Sequence, residues 1–413
     1  MKKLLVVLMA LLFTTGAFAA DTAKFDYNFW GLAYGAMGSW GSDEKWDYQH
    51  FRIRPMFTAG NENIKGVVRL QIDQKYGRID DGFGDPVWNA AGPFARNRAV
   101  RVQYAYMQLS NLFMDGLTFA TGLKGYDYPL IADTELALTS ATFDFGMGNV
   151  SLYYAKINED EVATKTGGLK ADDDAQLYII DATINAGDIA IRPALFYADT
   201  GKDIGDEKWY MGAINASGDM GMFDFDATCA YLSIKHDRGA TGKKESYSGY
   251  GVDLNVNVKP DADMVIGLFG TYTSGAKGDK KLGFADEVAG LFVGDTVGKL
   301  FLLQRGGIQD YGGYLPGTVE GFHTNSLGAM TAGLSFQYKV DKLTLLGQVG
   351  YMTLAKKNAA DEKNVGTEVD LKISFDVAPK TSLFLEYAYV MGGDDSICKD
   401  DIQQILWGLK TSI

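Results

Sequence analysis

Along residues 369–377 every second side chain is apolar: Val369, Leu371, Ile373, Phe375 and Val377. Asp370, Lys372, Ser374 and Asp376 fill the gaps. After Ala378-Pro379-Lys380-Thr381 the alternation resumes with Leu383, Leu385, Tyr387 and Tyr389. A period of two is the signature of a strand, and two such runs around a short turn read as a hairpin. The same alternation recurs from Phe25 to the last residue. It predicts eighteen strands, with sixteen as the alternative count. They lie near 25–40, 46–59, 63–76, 98–109, 117–125, 136–145, 149–157, 175–185, 189–198, 208–217, 222–235, 246–259, 263–273, 326–338, 343–355, 364–377, 382–391 and 402–413. Pro55 and Pro193 fall inside two of them, where a ladder donor is lost. No helical period is longer than a loop insert, and no linker interrupts the pattern, so residues 20–413 read as one domain.

The connections alternate in length. Gly60-Asn61-Glu62-Asn63, Gly146-Met147-Gly148-Asn149, Ala186-Gly187-Asp188, Gly218-Asp219-Met220-Gly221, Lys259-Pro260-Asp261-Ala262, Val340-Asp341 and Ala378-Pro379-Lys380-Thr381 are short. Segments 77–97, 158–174, 199–207, 236–245, 274–325, 356–363 and 392–401 are long and charged. Short turns at one end and long loops at the other suit a barrel in an outer membrane. A soluble sandwich has no reason to sort its loops so.

The two architectures differ in where the apolar faces go. A sandwich buries them against each other. A transmembrane antiparallel β-barrel turns them to lipid and its polar faces to water inside. A Lys or Arg on the lipid face at mid-bilayer costs about 2–4 kcal/mol. The apolar sets of 343–355, 364–377 and 382–391 carry no charge, while the polar set of 364–377 holds Glu368, Asp370, Lys372 and Asp376. A sandwich core would need a buried partner for each of these. The all-β transmembrane barrel is therefore the expected fold. Tyr76, Tyr104, Tyr106, Tyr387, Tyr389 and Trp407 are candidates for its interfacial aromatic girdles.

Composition agrees. Gly is frequent (50), Pro rare (8), and aromatics reach 13% of 413 residues. That mix suits many strands joined by turns. The start, MKKLLVVLMALLFTTGAFAA, has a basic n-region, an apolar run from Leu4 to Phe13 and an Ala17-Phe18-Ala19 site. Residues 1–19 read as a secretory signal peptide, the run being too short for a spanning helix. Its removal takes Lys2 and Lys3 away and the net charge from −13 to −15, which argues against nucleic acid as a partner. Cys229 and Cys398 are too sparse for a disulfide scaffold, and a single pairing is left open.

With this pattern on the whole mature chain, the sequence resembles Gram-negative outer-membrane porins. Within them it is most similar to the homotrimeric porins of sulfate-reducing bacteria. The resemblance implies a cell outer membrane location and lipid and lipopolysaccharide around the barrel. It also implies a water-filled channel for small hydrophilic solutes and ions, and a homotrimer. One departure is the terminus: the last strand ends in Ile413 instead of an aromatic residue.

Strand parity assigns the lumen. Opposite Phe51, Ile53 and Phe57, residues His50, Arg52 and Arg54 should face in. Opposite Val68, Leu70 and Ile72, so should Lys65, Arg69, Gln71, Asp73 and Lys75. Arg101 and Gln103 should lie opposite Val100, Val102, Tyr104 and Tyr106, and Lys124 opposite Phe119 and Leu123. Arg52, Arg54, Arg69, Arg101 and Lys124 thus form an expected basic wall. Asp224, Asp226, Asp253, Glu368, Asp370 and Glu386 form the expected acidic pore lining. Opposed charges across a narrow pore would order water and select small polar solutes. The alternative is a plain solvated face.

Two loops could narrow the pore. Loop 126–135 carries Asp127, Asp133 and Glu135, and in general porins the loop after the fifth strand plays this part. Loop 274–325 is longer, and its apolar run Phe284 to Leu303 must be buried somewhere.

Other motifs carry less. Gly294 to Leu300 lacks phosphate-loop spacing. Asp80 to Asp85 and Asp172 to Asp174 read as solvated loop acids ahead of a Ca²⁺ site. The three histidines have no ligand spacing, and no metal or cofactor is expected. An enzyme would need a nucleophile–His–acid set at the lipid boundary, which the pattern does not supply. Two alternatives to a passive channel remain. One is a solute-specific sugar or anion channel, with Trp88, Phe94, Tyr311, Tyr314 and Phe322 as an aromatic track. The other is a barrel sheathing a partner, although no haem-attachment motif exists here.

Overall fold

In the computed structural model the described residues are 24–41, 44–79, 99–111, 114–158, 175–200, 207–236, 245–275, 284, 299–304, 327–358, 360–393 and 397–412. Expectations placed on residues 1–19, on the acids of 80–85 and 172–174, and on Trp88, Phe94, Tyr311, Tyr314 and Phe322 lie outside them.

Among the described residues eighteen strands form: β1 Lys24–Trp40, β2 Glu44–Gly60, β3 Ile64–Ile79, β4 Ala99–Ser110, β5 Leu117–Tyr128, β6 Ala132–Asp144, β7 Gly148–Asn158, β8 Ala175–Ala186 and β9 Ile189–Asp199, followed by β10 Glu207–Asp219, β11 Phe223–His236, β12 Glu245–Val258, β13 Met264–Thr273, β14 Ala329–Val340, β15 Leu343–Leu354, β16 Asn364–Ala378, β17 Thr381–Met391 and β18 Ile402–Ser412. Each pairs antiparallel with its sequence neighbours, and β1 pairs with β18 from Trp30↔Ser412 to Trp40↔Ile402. The sheet closes on itself, so no edge is left to pair with another chain.

The faces are inverted relative to a soluble protein. Phe51, Leu152, Ile180, Leu195, Ile214, Tyr231, Leu268, Leu334, Leu371 and Leu385 point out and are exposed. Arg52, Gln71, Gln103, Asp181, Asn215, Asp253, Gln348, Glu368, Asp370 and Glu386 point in and are buried. On the outer face Tyr154, Tyr178, Tyr197 and Tyr210 sit directly opposite one another on four adjacent strands. Their ring centroids are 5.2, 6.1 and 5.2 Å apart. This tyrosine row is a band that alternation alone does not reveal, because it needs the register of four strands at once.

Both in-strand prolines sit where a ladder breaks. β2 skips from Ile53↔Ile72 to Met56↔Arg69 around Pro55. β9 skips from Asp181↔Ala194 to Ile184↔Ile191 around Pro193. Each proline keeps its place opposite its other neighbour, Phe29 and Ile214 respectively. Cys229 is exposed on the outer face, Cys398 is buried in the connection after β17, and neither forms a disulfide. Burial, with the nearby Glu368 charge, pushes the Cys398 thiol up to about 12.

Candidate functional site

The wall is incomplete where β5 and β6 approach the long-loop end. β5 pairs with β4 only from Thr118↔Ser110 to Leu123↔Ala105. β6 pairs with β7 only from Ala137↔Lys156 onward. Beyond these points β5 and β6 stay paired with each other, from Lys124↔Leu136 to Tyr128↔Ala132. This hairpin folds into the lumen. Leu130 at its tip lies against Gly251 of β12, and the Tyr128 hydroxyl donates to the Arg192 carbonyl of β9 at 2.5 Å. Segment 126–135 is thus strand, a turn at 129–131, and strand, not the irregular loop expected.

Parity explains the fold of the hairpin. Tyr126, Tyr128 and Leu136 continue the inward face and pack on Leu177, Ile179, Phe196, Trp209, Met211 and Ile234 of the facing wall. The opposite positions, outward in a wall, now look into the open lumen. Glu135 is one of them. It accepts from Gln103 Nε2 at 2.5 Å and stands 3.7 Å from Arg101 Nη1. Asp127 is exposed and lies within electrostatic reach of Arg192 and Asp226. Asp133 is paired through its backbone with Asp127.

Gly122 makes the departure from the wall feasible. Its φ is +128°, and a Cβ there would sit 2.2 Å from the Ala105 carbonyl oxygen. Gly122→Ala should lower the stability of the folded barrel by about 1–3 kcal/mol, the cost of one enforced backbone strain. The heat-modified gel shift should occur at a lower temperature, whereas Gly393→Ala, where a Cβ meets nothing within 4 Å and no left-handed backbone is enforced, should shift it less.

The basic residues lie on neighbouring strands and are bridged by glutamines. Arg54 Nε donates to Gln71 Oε1 at 2.8 Å, and Arg101 Nη2 reaches the same oxygen at 3.4 Å. Arg69 Nε donates to Gln103 Oε1 at 2.7 Å. Arg52 is buried, Arg54 stacks 4.9 Å over Trp30, and Lys124 lies 5.5 Å over Tyr106. The outward placement of Tyr104 and Tyr106 is corrected. β4 carries an extra residue at Gln103, since Leu70 pairs with Val102 but Arg69 with Tyr104. The bulge flips parity beyond it, and the Arg69 guanidinium sits 4.0 Å over the Tyr104 ring, inside the barrel.

The acids divide into two groups. Asp224, Asp226 and Asp253 are on the inner faces of β11 and β12. Asp226 accepts from Asn215 at 3.0 Å, and Asp253 accepts from Thr271 at 2.6 Å and Asn255 at 2.8 Å. Asp224 accepts from Asn257 at 2.5 Å and pairs with Lys259 at 2.9 Å. β3 and β12 are nine strands apart in a ring of eighteen, so this group faces the arginines across the lumen.

Glu368, Asp370 and Glu386 do not line an open pore, contrary to the expectation. The described part of connection 274–325 enters the barrel and covers Glu368 and Asp370. Leu302 N–H and Leu303 N–H donate to the two Glu368 oxygens at 2.6 and 2.7 Å, and Phe301 N–H to Asp370 at 3.3 Å. Gln348 also donates to Asp370 at 2.7 Å. Leu300 to Leu303 bury themselves among Leu32, Tyr34, Met352 and Leu406. N–H groups that a tight turn leaves without a backbone acceptor attract anions, so the carboxylates seat a segment instead of facing water. Glu386 is 1% exposed and pairs with Lys372 at 2.5 Å.

Sequence reading missed one polar constellation. Arg192 of β9 and Asp181 of β8 form a forked ion pair, with Nε–Oδ1 at 3.0 Å and Nη2–Oδ2 at 2.5 Å. Its sequence signal was faint: two lone charges on inner positions of adjacent strands.

No protein-family model and no curated protein matches the chain. Solved structures do. Pseudomonas aeruginosa OccK9 (OpdG) is similar at TM-score 0.59 and 11% identity, over 95% of this chain and 98% of that one. The outer membrane protein opdK of the same organism is similar at 0.57 and 10%, over 94% and 98%. Acinetobacter baumannii OccAB4 is similar at 0.57 and 10%, over 96% and 99%. At these identities the likeness is one of fold: a closed antiparallel barrel matched along nearly its whole length.

Proposed function

We propose that the chain is an outer-membrane channel for passive diffusion of small hydrophilic solutes and ions. The inverted barrel carries this reading. Its exposed face is apolar on strand after strand, and its interior holds arginines and aspartates. Hydrocarbon outside and water inside satisfy both faces, and a closed ladder satisfies the backbone in lipid. The fold shared with an outer membrane protein supports the location. Residues 1–19 then act as the cleaved export signal, and lipopolysaccharide surrounds the long-loop end. Arg54, Arg69, Arg101 and Glu135 on one side, with Asp127, Asp226 and Asp253 opposite, make the selective zone.

The reading is of a channel and not an enzyme. His50 shares a 3.0 Å hydrogen bond with the Tyr34 hydroxyl inside an aromatic cluster with Tyr48, which supports a packing role. Three copies per assembly, as in the homotrimeric porins of sulfate-reducing bacteria, complete the reading.

Planar-bilayer recording of the mature, refolded protein tests it. Stepwise conductance is expected, with steps in sets of three for the trimer. A folded, heat-modifiable barrel that passes no current overturns the channel.

A further inference from the structure

We propose that Arg192 is a latch that holds the inward β5–β6 hairpin across the lumen and so sets the width of the passage. The inference rests on the channel reading for its consequence, but not for its geometry. Once the hairpin leaves the wall it has no backbone ladder to β4 or β7. Its attachment must come from side chains. The apolar underside packs on the wall, but apolar contact is non-directional and tolerates sliding. Direction on the β9 side comes from the cluster around the Arg192 guanidinium, while Gln103 and Arg101 hold Glu135 on the β4 side.

Arg192 grips Asp181 with Nε and Nη2. The same Nη2 donates to the Asp127 carbonyl on the hairpin at 2.8 Å. The Tyr128 ring lies 4.6 Å from the guanidinium carbon, and the Tyr128 hydroxyl closes the circuit on the Arg192 carbonyl. Tyr126, also on the hairpin, reaches Asp181 with its hydroxyl at 3.4 Å. Hairpin and wall therefore share one network, centred on an ion pair whose carboxylate is 4% exposed. A buried carboxylate of this kind depends on its partner, and breaking such a pair costs more than the pair contributes. The planar fork grips the acid bidentately while also serving a carbonyl and a ring, a geometry that an ammonium, as a point charge, does not reproduce.

The hairpin carries Glu135 toward Arg101 and Asp127 toward Asp226. Releasing it would widen the lumen and separate the charges that face each other across it.

Two readouts test the latch. In bilayers Arg192→Ala should show a conductance level above that of the unaltered protein, with more frequent transitions. Independently of current, a cysteine replacing the buried Leu130 at the tip, with Cys229 and Cys398 changed to serine, reports release. A water-soluble maleimide should label it several-fold faster in Arg192→Ala than with Arg192 present. Equal labelling rates in two folded, heat-modifiable barrels overturn the latch, whether or not the protein conducts. Silence of the unaltered protein in bilayers instead overturns the channel reading. If Arg192→Ala does not fold, Arg192→Lys, which keeps the charge but loses the fork, is labelled in its place. Faster labelling supports the latch, and an unchanged rate overturns it.

Discussion

Replacing Arg69 and Arg101 together with glutamine should move the zero-current potential of the channel toward cations under a salt gradient. Both guanidiniums lie on the inner wall, bridged by Gln71 and Gln103, and Arg101 faces Glu135 at 3.7 Å. A unit charge at 4 Å from a passing ion contributes about 1 kcal/mol in water and about 4 kcal/mol near a protein surface. Two such charges at the lower figure change relative anion occupancy by about thirtyfold, because every 1.4 kcal/mol is about a factor of ten. Salt shortens the reach, so the shift should shrink as ionic strength rises. Lys357, exposed in the connection after β15 and paired with Asp361, serves as the control. Lys357→Gln should leave the potential in place. A double variant with the unaltered potential would show that ions do not pass the arginines.

The second large effect concerns Glu368. It is 0% exposed and accepts the backbone N–H groups of Leu302 and Leu303. Glu368→Ala leaves two buried donors without their acceptor, at about 1–3 kcal/mol each. The loss should fall on the 299–304 segment ahead of the barrel, whose ladder is untouched. Trypsin should then cut at Lys299 in folded protein, and cut the unaltered chain there far more slowly. Glu368→Gln keeps an oxygen for one donor, so an intermediate rate is expected. Cleavage at the same rate in all three would mean that the carboxylate does not seat the segment.

Some of this molecule is legible from its residues. The alternation of Val369, Leu371, Ile373 and Phe375 with Asp370, Lys372 and Ser374 is a local property, and strand formation follows the same local period. Strand number, the even count and the long and short ends all follow from it. Arg54, Arg69 and Asp226 could be placed on the inner face for the same reason. Tyr104 and Tyr106 could not. One extra residue at Gln103 inverts every position beyond it, and nothing in the alternation of 98–109 marks the bulge.

Glu368 and Asp370 show the other boundary. Parity puts both on the inner wall, as found, but whether an inner position meets water depends on what else occupies the lumen. That was decided by residues 299–304, some 65 positions away along the chain, whose backbone donors match the two carboxylates. Arg192 and Asp181 likewise become a site only when β8 and β9 pair and the β5–β6 hairpin folds over them. The period-two pattern by itself determined the strands of the barrel and, where no bulge intervenes, which side chains point inward, because each residue's face depends only on its neighbours. The tertiary structure alone decided which inward charges are open and which are covered, because that depends on two segments leaving the wall and finding partners across the lumen.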